Sequence, residues 1–88
     1  MHTLRFKRTV AKDLRSIGGQ AAERVLAAIE AQLAHDPRAG TRLRGVDALW
    51  RWRVGDYRVI YTFSDAELWI LVVRIGHRRD VYRQAGAG

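Results

Sequence analysis

The tightest constraint in this chain lies at residues 49–63, Leu-Trp-Arg-Trp-Arg-Val-Gly-Asp-Tyr-Arg-Val-Ile-Tyr-Thr-Phe, where side chains alternate with period two about a Gly55-Asp56 break. Alternation flanking a two-residue Gly-Asp turn predicts a β-hairpin, and the turn dictates its register. Val54 is expected opposite Tyr57, Arg53 opposite Arg58, Trp52 opposite Val59 and Arg51 opposite Ile60. Trp50, Trp52, Val54, Tyr57, Val59, Tyr61 and Phe63 then share one face, apolar enough to pack on a core. Arg53 and Arg58 share the other. Like charges directly across a strand pair cost a few tenths to about 1 kcal/mol. An anion held between them would offset that cost; a solvated face with splayed side chains is an equal reading from these residues alone.

The rest of the chain supplies elements to cover that hairpin. Thr3-Leu4-Arg5-Phe6 alternates as a short first strand with Leu4 and Phe6 inward. Thr9 is placed to cap a helix to about Ile17, with Val10, Leu14 and Ile17 on one stripe, and Gly18-Gly19 stops it. A second helix is expected from about Gln20 to His35, with Ala22, Val25, Leu26, Ile29 and Leu33 inward and Glu23, Arg24, Glu30 and Gln32 toward water, ended by Asp36-Pro37. Residues 38–48 read as a basic loop carrying Arg42 and Arg44. After a turn at Ser64-Asp65-Ala66-Glu67, residues 68–75 form a strand apolar on both sides, as an interior strand is, with Phe63 facing Leu68 and Arg58 facing Val73, and Gly76 closing it. His77 to Arg83 is a compact polar segment.

The order strand-helix-helix-strand-strand-strand predicts an α+β fold, a two-helix hairpin packed on one face of a mainly antiparallel four-stranded sheet. The other face is left open. Eighty-eight residues allow a single domain, taken as residues 1–83 with 84–88 a frayed tail.

Charge points to the partner class only weakly. The formal net charge is +7, carried by 14 arginines and 2 lysines and spread as +3 over residues 1–40 and +4 over 41–88. Guanidinium groups are permanent planar cations that grip phosphate with two hydrogen bonds. With no cysteine, thiolate chemistry and disulfide scaffolds are excluded. No cofactor or metal is called for. The longest apolar run, residues 68–73, is too short to span a bilayer and the first residues lack an apolar signal segment, so a cytoplasmic protein is the expectation.

On the open face the predicted register gathers Arg51, Arg53 and Arg58, with Ile60, Leu71 and Val73 as floor, and brings Arg78 and Tyr82 just past the last strand. Cations on a rigid sheet beside an aromatic suit a single-stranded nucleic acid, guanidiniums on phosphates and a ring on a base. They could equally stabilise a transition state richer in negative charge. Trp69 falls on the arginine side beside a turn, where it can meet a partner.

The run Leu43-Arg44-Gly45, Trp50-Arg51-Trp52-Arg53, Gly55-Asp56-Tyr57-Arg58-Val59-Ile60-Tyr61 and Gly76-His77-Arg78-Arg79-Asp80-Val81-Tyr82-Arg83 resembles the RelE branch of the RelE/ParE toxin superfamily over nearly the whole domain. The resemblance implies a toxin of a type II toxin-antitoxin pair, a ribosome-dependent messenger RNA endoribonuclease leaving a 2',3'-cyclic phosphate. It implies as partners a cognate antitoxin, messenger RNA in the ribosomal A site and ribosomal RNA, and no membrane. Carried over, Arg51 and Arg53 act at the 2'-hydroxyl, Arg58 on the scissile phosphate, Arg78 at the leaving 5'-oxygen and Tyr82 on the nucleotide. The two strand positions are lysines in the best-known members, and arginine cannot serve as an ordinary base. His77 is the candidate acid/base, although a turn residue is its commoner role. Arg42 and Arg44 are candidates to touch RNA, against a plain solvated loop, and Arg79 reads as structural. The alternative within the superfamily is a non-enzymatic ParE-type toxin acting on DNA gyrase; a third is a degenerate member that only binds its antitoxin.

Overall fold

The computed structural model describes residues 1–45 and 48–77. Chain order is β1 (Thr3–Phe6), α1 (Arg8–Ile17), α2 (Gly19–Ala28) continued by a π-helical turn (Ile29–Leu33), a 3-10 turn (Pro37–Ala39), β2 (Thr41–Arg42), β3 (Trp50–Val54), β4 (Tyr57–Ser64) and β5 (Trp69–His77). The sheet has five strands in the order β1-β5-β4-β3-β2, with β1–β5 parallel and the other pairs antiparallel. The expected four strands become five because Thr41 and Arg42, inside the basic loop, pair with Arg51 and Trp50.

The helices cover one face, and the core lies between: Val10, Val25, Ile29 and Leu33 from the helical side meet Val59, Tyr61, Ile70, Val72 and Ile75 from the sheet. The π turn, marked by the Ala34 N–H donating to the Ile29 carbonyl at 2.9 Å, widens the helix so that Leu33 and Ala34 are both buried. Leu4 packs against the core as expected. Phe6 does not: at the sheet edge its ring stays 43% exposed beside Val10, Leu14 and Leu26.

Helix α1 also closes an edge. β1 pairs only as far as Val72, so β5 beyond that point would present open backbone. The Lys7 N–H donates to the Val72 carbonyl at 2.9 Å, the Thr9 hydroxyl to the Val73 carbonyl at 3.4 Å, and Asp13 Oδ2 accepts from the Ile75 N–H at 3.0 Å. Thr9 is therefore inside α1 rather than its cap; the cap position is Lys7. Asp13, 7% exposed, also takes Arg74 at 2.8 Å, which compensates the burial of its charge.

The hairpin register is the predicted one at every expected pair. Of the two turn residues only Gly55 has positive φ, 58°, as the first position of a type II′ turn requires. The β4–β5 register differs. Its loop runs on through Leu68, which takes the left-handed conformation (φ 57°), so the closing pair is Ser64–Trp69 and Phe63 faces Ile70, not Leu68. A bulge opposite Ile60/Tyr61 then inserts one further residue on β5, and Arg58 faces Gly76, not Val73. The strand continues through Gly76 to His77.

Candidate nucleic-acid interface

Arg51, Arg53 and Arg58 leave the sheet on the face opposite the helices, since their neighbours Trp50, Trp52 and Val59 pack toward the core. With Ala39, Gly40, Thr41 and Trp52 they line a pocket of about 300 Å³. The three cations that the sequence brings together are thus together. Arg53 and Arg58 are directly opposed, and Arg51 stands between Thr41 on β2 and Ile60 on β4. Ile60 is fully buried, giving the cations an apolar base that holds their stems.

The bulge shapes this pocket. Had β5 kept the spacing of its first half, Ile75 would stand opposite Arg58 on the arginine face. The extra residue returns Ile75 to the core, 1% exposed, and sets Gly76 beside Arg58, where it adds no side chain to the space around the guanidinium.

The wall formed by Gly40 and Thr41 escaped the sequence reading. Tyr61, fully buried, donates its hydroxyl to the Pro37 carbonyl at 2.5 Å and accepts the Gly40 N–H at 3.2 Å. Burial pushes its phenol up to about 12, against the lowering effect of the Gly40 hydrogen bond. Gly40 lies so close that a Cβ there would run into the Arg51 carbonyl and the Tyr61 hydroxyl; only glycine lets β2 approach Arg51 this way. Arg38 pins the same loop by an ion pair to Asp65 at 2.6 Å and by lying over the Phe63 ring at 5.2 Å. The Arg38 contact, helped by His2, holds the Asp65 carboxyl below its usual range. No local signal marked this wall: Tyr61 lies three residues from Arg58 on the opposite face, and its partners Gly40 and Pro37 are 21 and 24 residues away.

Other candidates fall elsewhere. Arg42 pairs with Trp50, so the pleat sends it to the face away from Arg51, and Arg44 lies in a turn outside the pocket lining. His77 is opposite Tyr57, their rings edge to face at 6.1 Å; it shares the side of Tyr57 and Ile75, across the sheet from the arginines. The bulge is the reason, because it inverts the pleat of everything after it. Arg78, Tyr82 and the segment to residue 88 lie outside the described residues. Among the described residues no three His, Cys, Asp or Glu side chains gather as a metal site, and no helix is long and apolar enough to cross a membrane.

What remains is a rigid, permanently cationic depression with no proton acceptor among its described lining side chains, suited to holding phosphate and stabilising added negative charge. The sequence model of the family described as "ParE toxin of type II toxin-antitoxin system, parDE" matches residues 4–82. Toxin RelG of Mycobacterium tuberculosis is 29% identical over 85 residues, covering 94% of this chain and 98% of RelG. Among solved structures, the RelBE2 toxin-antitoxin complex of M. tuberculosis gives a TM-score of 0.81 at 28% identity over 88% of this chain and 91% of the matched chain. The isolated E. coli RelE toxin gives 0.70 at 25% identity over 99% and 97%.

Proposed function

The chain belongs to the ParE toxin family of type II toxin-antitoxin systems, on the RelE branch of the RelE/ParE superfamily, and we propose that it is a ribosome-dependent endoribonuclease that cuts messenger RNA and stops translation. The observation that carries this reading is the convergence of Arg51, Arg53 and Arg58 on one pocket with Gly76 beside Arg58. In the reaction the 2'-oxygen attacks the adjacent phosphorus, the O2'–P bond forms, the P–O5' bond breaks, and the products are a 2',3'-cyclic phosphate and a 5'-hydroxyl. The proton lost from the 2'-hydroxyl is balanced by one gained at the 5'-oxygen.

In this mechanism Arg58 holds the scissile phosphate while Arg51 and Arg53 stabilise the charge that develops on the attacking and equatorial oxygens. None of them takes the proton, because guanidinium does not give up its own. Their contribution is electrostatic and orientational, and the ribosome presents the message bent for in-line attack. Arg78 acts at the leaving oxygen and Tyr82 on the nucleotide, as the family resemblance implies. His77 lies against Tyr57, on the face of the sheet away from Arg51, Arg53 and Arg58, and takes no proton-transfer step in this mechanism. The partner is a cognate antitoxin, by likeness to the RelBE2 complex.

A gyrase-directed, non-enzymatic toxin is the second reading, favoured by the ParE description of the matched family. Induced expression followed by primer extension separates them. Codon-phased cuts in translated messages, lost in Arg58→Ala at unchanged thermal midpoint, are expected; DNA breaks with intact messages would reject the nuclease.

A further inference from the structure

The arginine face does not end at the pocket. β1 and β5 pair with Leu4 beside Ile70 and Thr3 beside Trp69. Ile70 is fully buried in the core, so the pleat puts Trp69, Leu71 and Arg5 on the side of Arg51, Arg53 and Arg58. Arg5 is exposed and its guanidinium carbon lies 6.0 Å from the centre of the Trp69 ring. The indole is held in place from its edge, its Nε1 donating to Glu67 Oε1 at 3.3 Å. Between this pair and the pocket the face runs through Thr62 and Leu71, which pair with each other and leave a partly exposed, uncharged strip.

Trp69 pairs with Ser64 at the far end of β4 from Arg58. Six residues of strand at about 3.3 Å each separate the two by roughly 20 Å. A single strand stacked at about 3.4 Å per nucleotide spans that with about six nucleotides, an extended one with fewer. Resting on the nuclease reading above, we infer that Trp69 and Arg5 form a second RNA subsite, Trp69 stacking on a base several nucleotides from the scissile phosphate and Arg5 pairing with a neighbouring phosphate. A held indole beside a cation, on the same rigid face as a phosphate pocket, is what sequence-tolerant single-strand binding uses. The net charge of +7 suits a polyanionic partner, and a dependence of affinity on oligonucleotide length is what the test reads.

The test is the affinity of the full chain for uncleavable 2'-deoxy-substituted oligonucleotides of about two, four, six and eight residues. For the unaltered chain affinity should step up once the oligonucleotide reaches Trp69. Trp69→Ala should remove that step, weakening the long oligonucleotides about tenfold and the shortest less than twofold. Trp69→Tyr should restore most of it, and Arg5→Gln should reduce it. An unchanged length dependence in Trp69→Ala, or no step in the unaltered chain, overturns the inference and leaves this face to a protein partner. The outcome is separable from the nuclease reading: a chain that shows the step yet cuts no message keeps the subsite and loses the enzyme.

Discussion

Three side chains set what the pocket can do. The guanidinium groups of Arg51, Arg53 and Arg58 stay cationic at every pH a cell reaches, so pH dependence of the described pocket comes from groups that hold it in shape. Tyr61 is the clearest. Its phenol ionises near 10 in the unfolded chain and at about 12 in the fold, where burial disfavours the charged form. The unfolded chain therefore binds fewer protons between those values, so the stabilisation is complete below pH 10 and falls as pH rises toward 12. Unfolding midpoints measured across that window should drop more steeply for the unaltered chain than for Tyr61→Phe. The Phe variant should also release the Gly40 amide to hydrogen exchange, because Tyr61 is its acceptor. Equal pH slopes in the two proteins would deny the hydroxyl this role. Nothing local in the sequence marked that clamp: its partners, Pro37 and Gly40, sit 24 and 21 residues away, and only tertiary closure brings them together.

At the scale of elements, the β5 bulge decides what stands beside Arg58. It moves Ile75 to the core and sets Gly76 beside Arg58. Valine at 76 suits a strand by propensity but adds a branched side chain on the arginine face. Gly76→Val is expected to keep its thermal midpoint within a few degrees while weakening oligonucleotide binding about tenfold or more; full binding by a folded Gly76→Val would show that the space beside Arg58 is not used. The hairpin was legible because Gly55-Asp56 and strict alternation fix a register without help from elsewhere. β4–β5 was not, because Leu68 in a left-handed conformation and one extra residue are set by how β5 packs against β1, α1 and the core. The same inversion carried His77 across the sheet. Asp13 did leave a trace: an acid on the stripe of Val10, Leu14 and Ile17 signals a buried partner, here Arg74 and the Ile75 N–H. The two-residue strand β2 left none.

For the whole molecule, the arginine face and the helix-covered core are two sides of one sheet, so charge and packing are read from alternate residues of the same strands. Association with single-stranded RNA should be strongly salt dependent, with the logarithm of affinity falling against the logarithm of salt by about 0.7 per phosphate engaged. Arg58→Ala should lower that slope by about 0.7, and an unchanged slope would place Arg58 off the RNA. Order along the chain has its own result. The last strand described, β5, lies inside the sheet between β4 and β1, the first strand; Thr3 meets Trp69. Until Ile70, Val72 and Ile75 have left the exit tunnel, neither the interior nor the complete sheet can assemble. A nascent chain holding both helices and the hairpin but not yet β5 therefore has no closed sheet for the helices to cover.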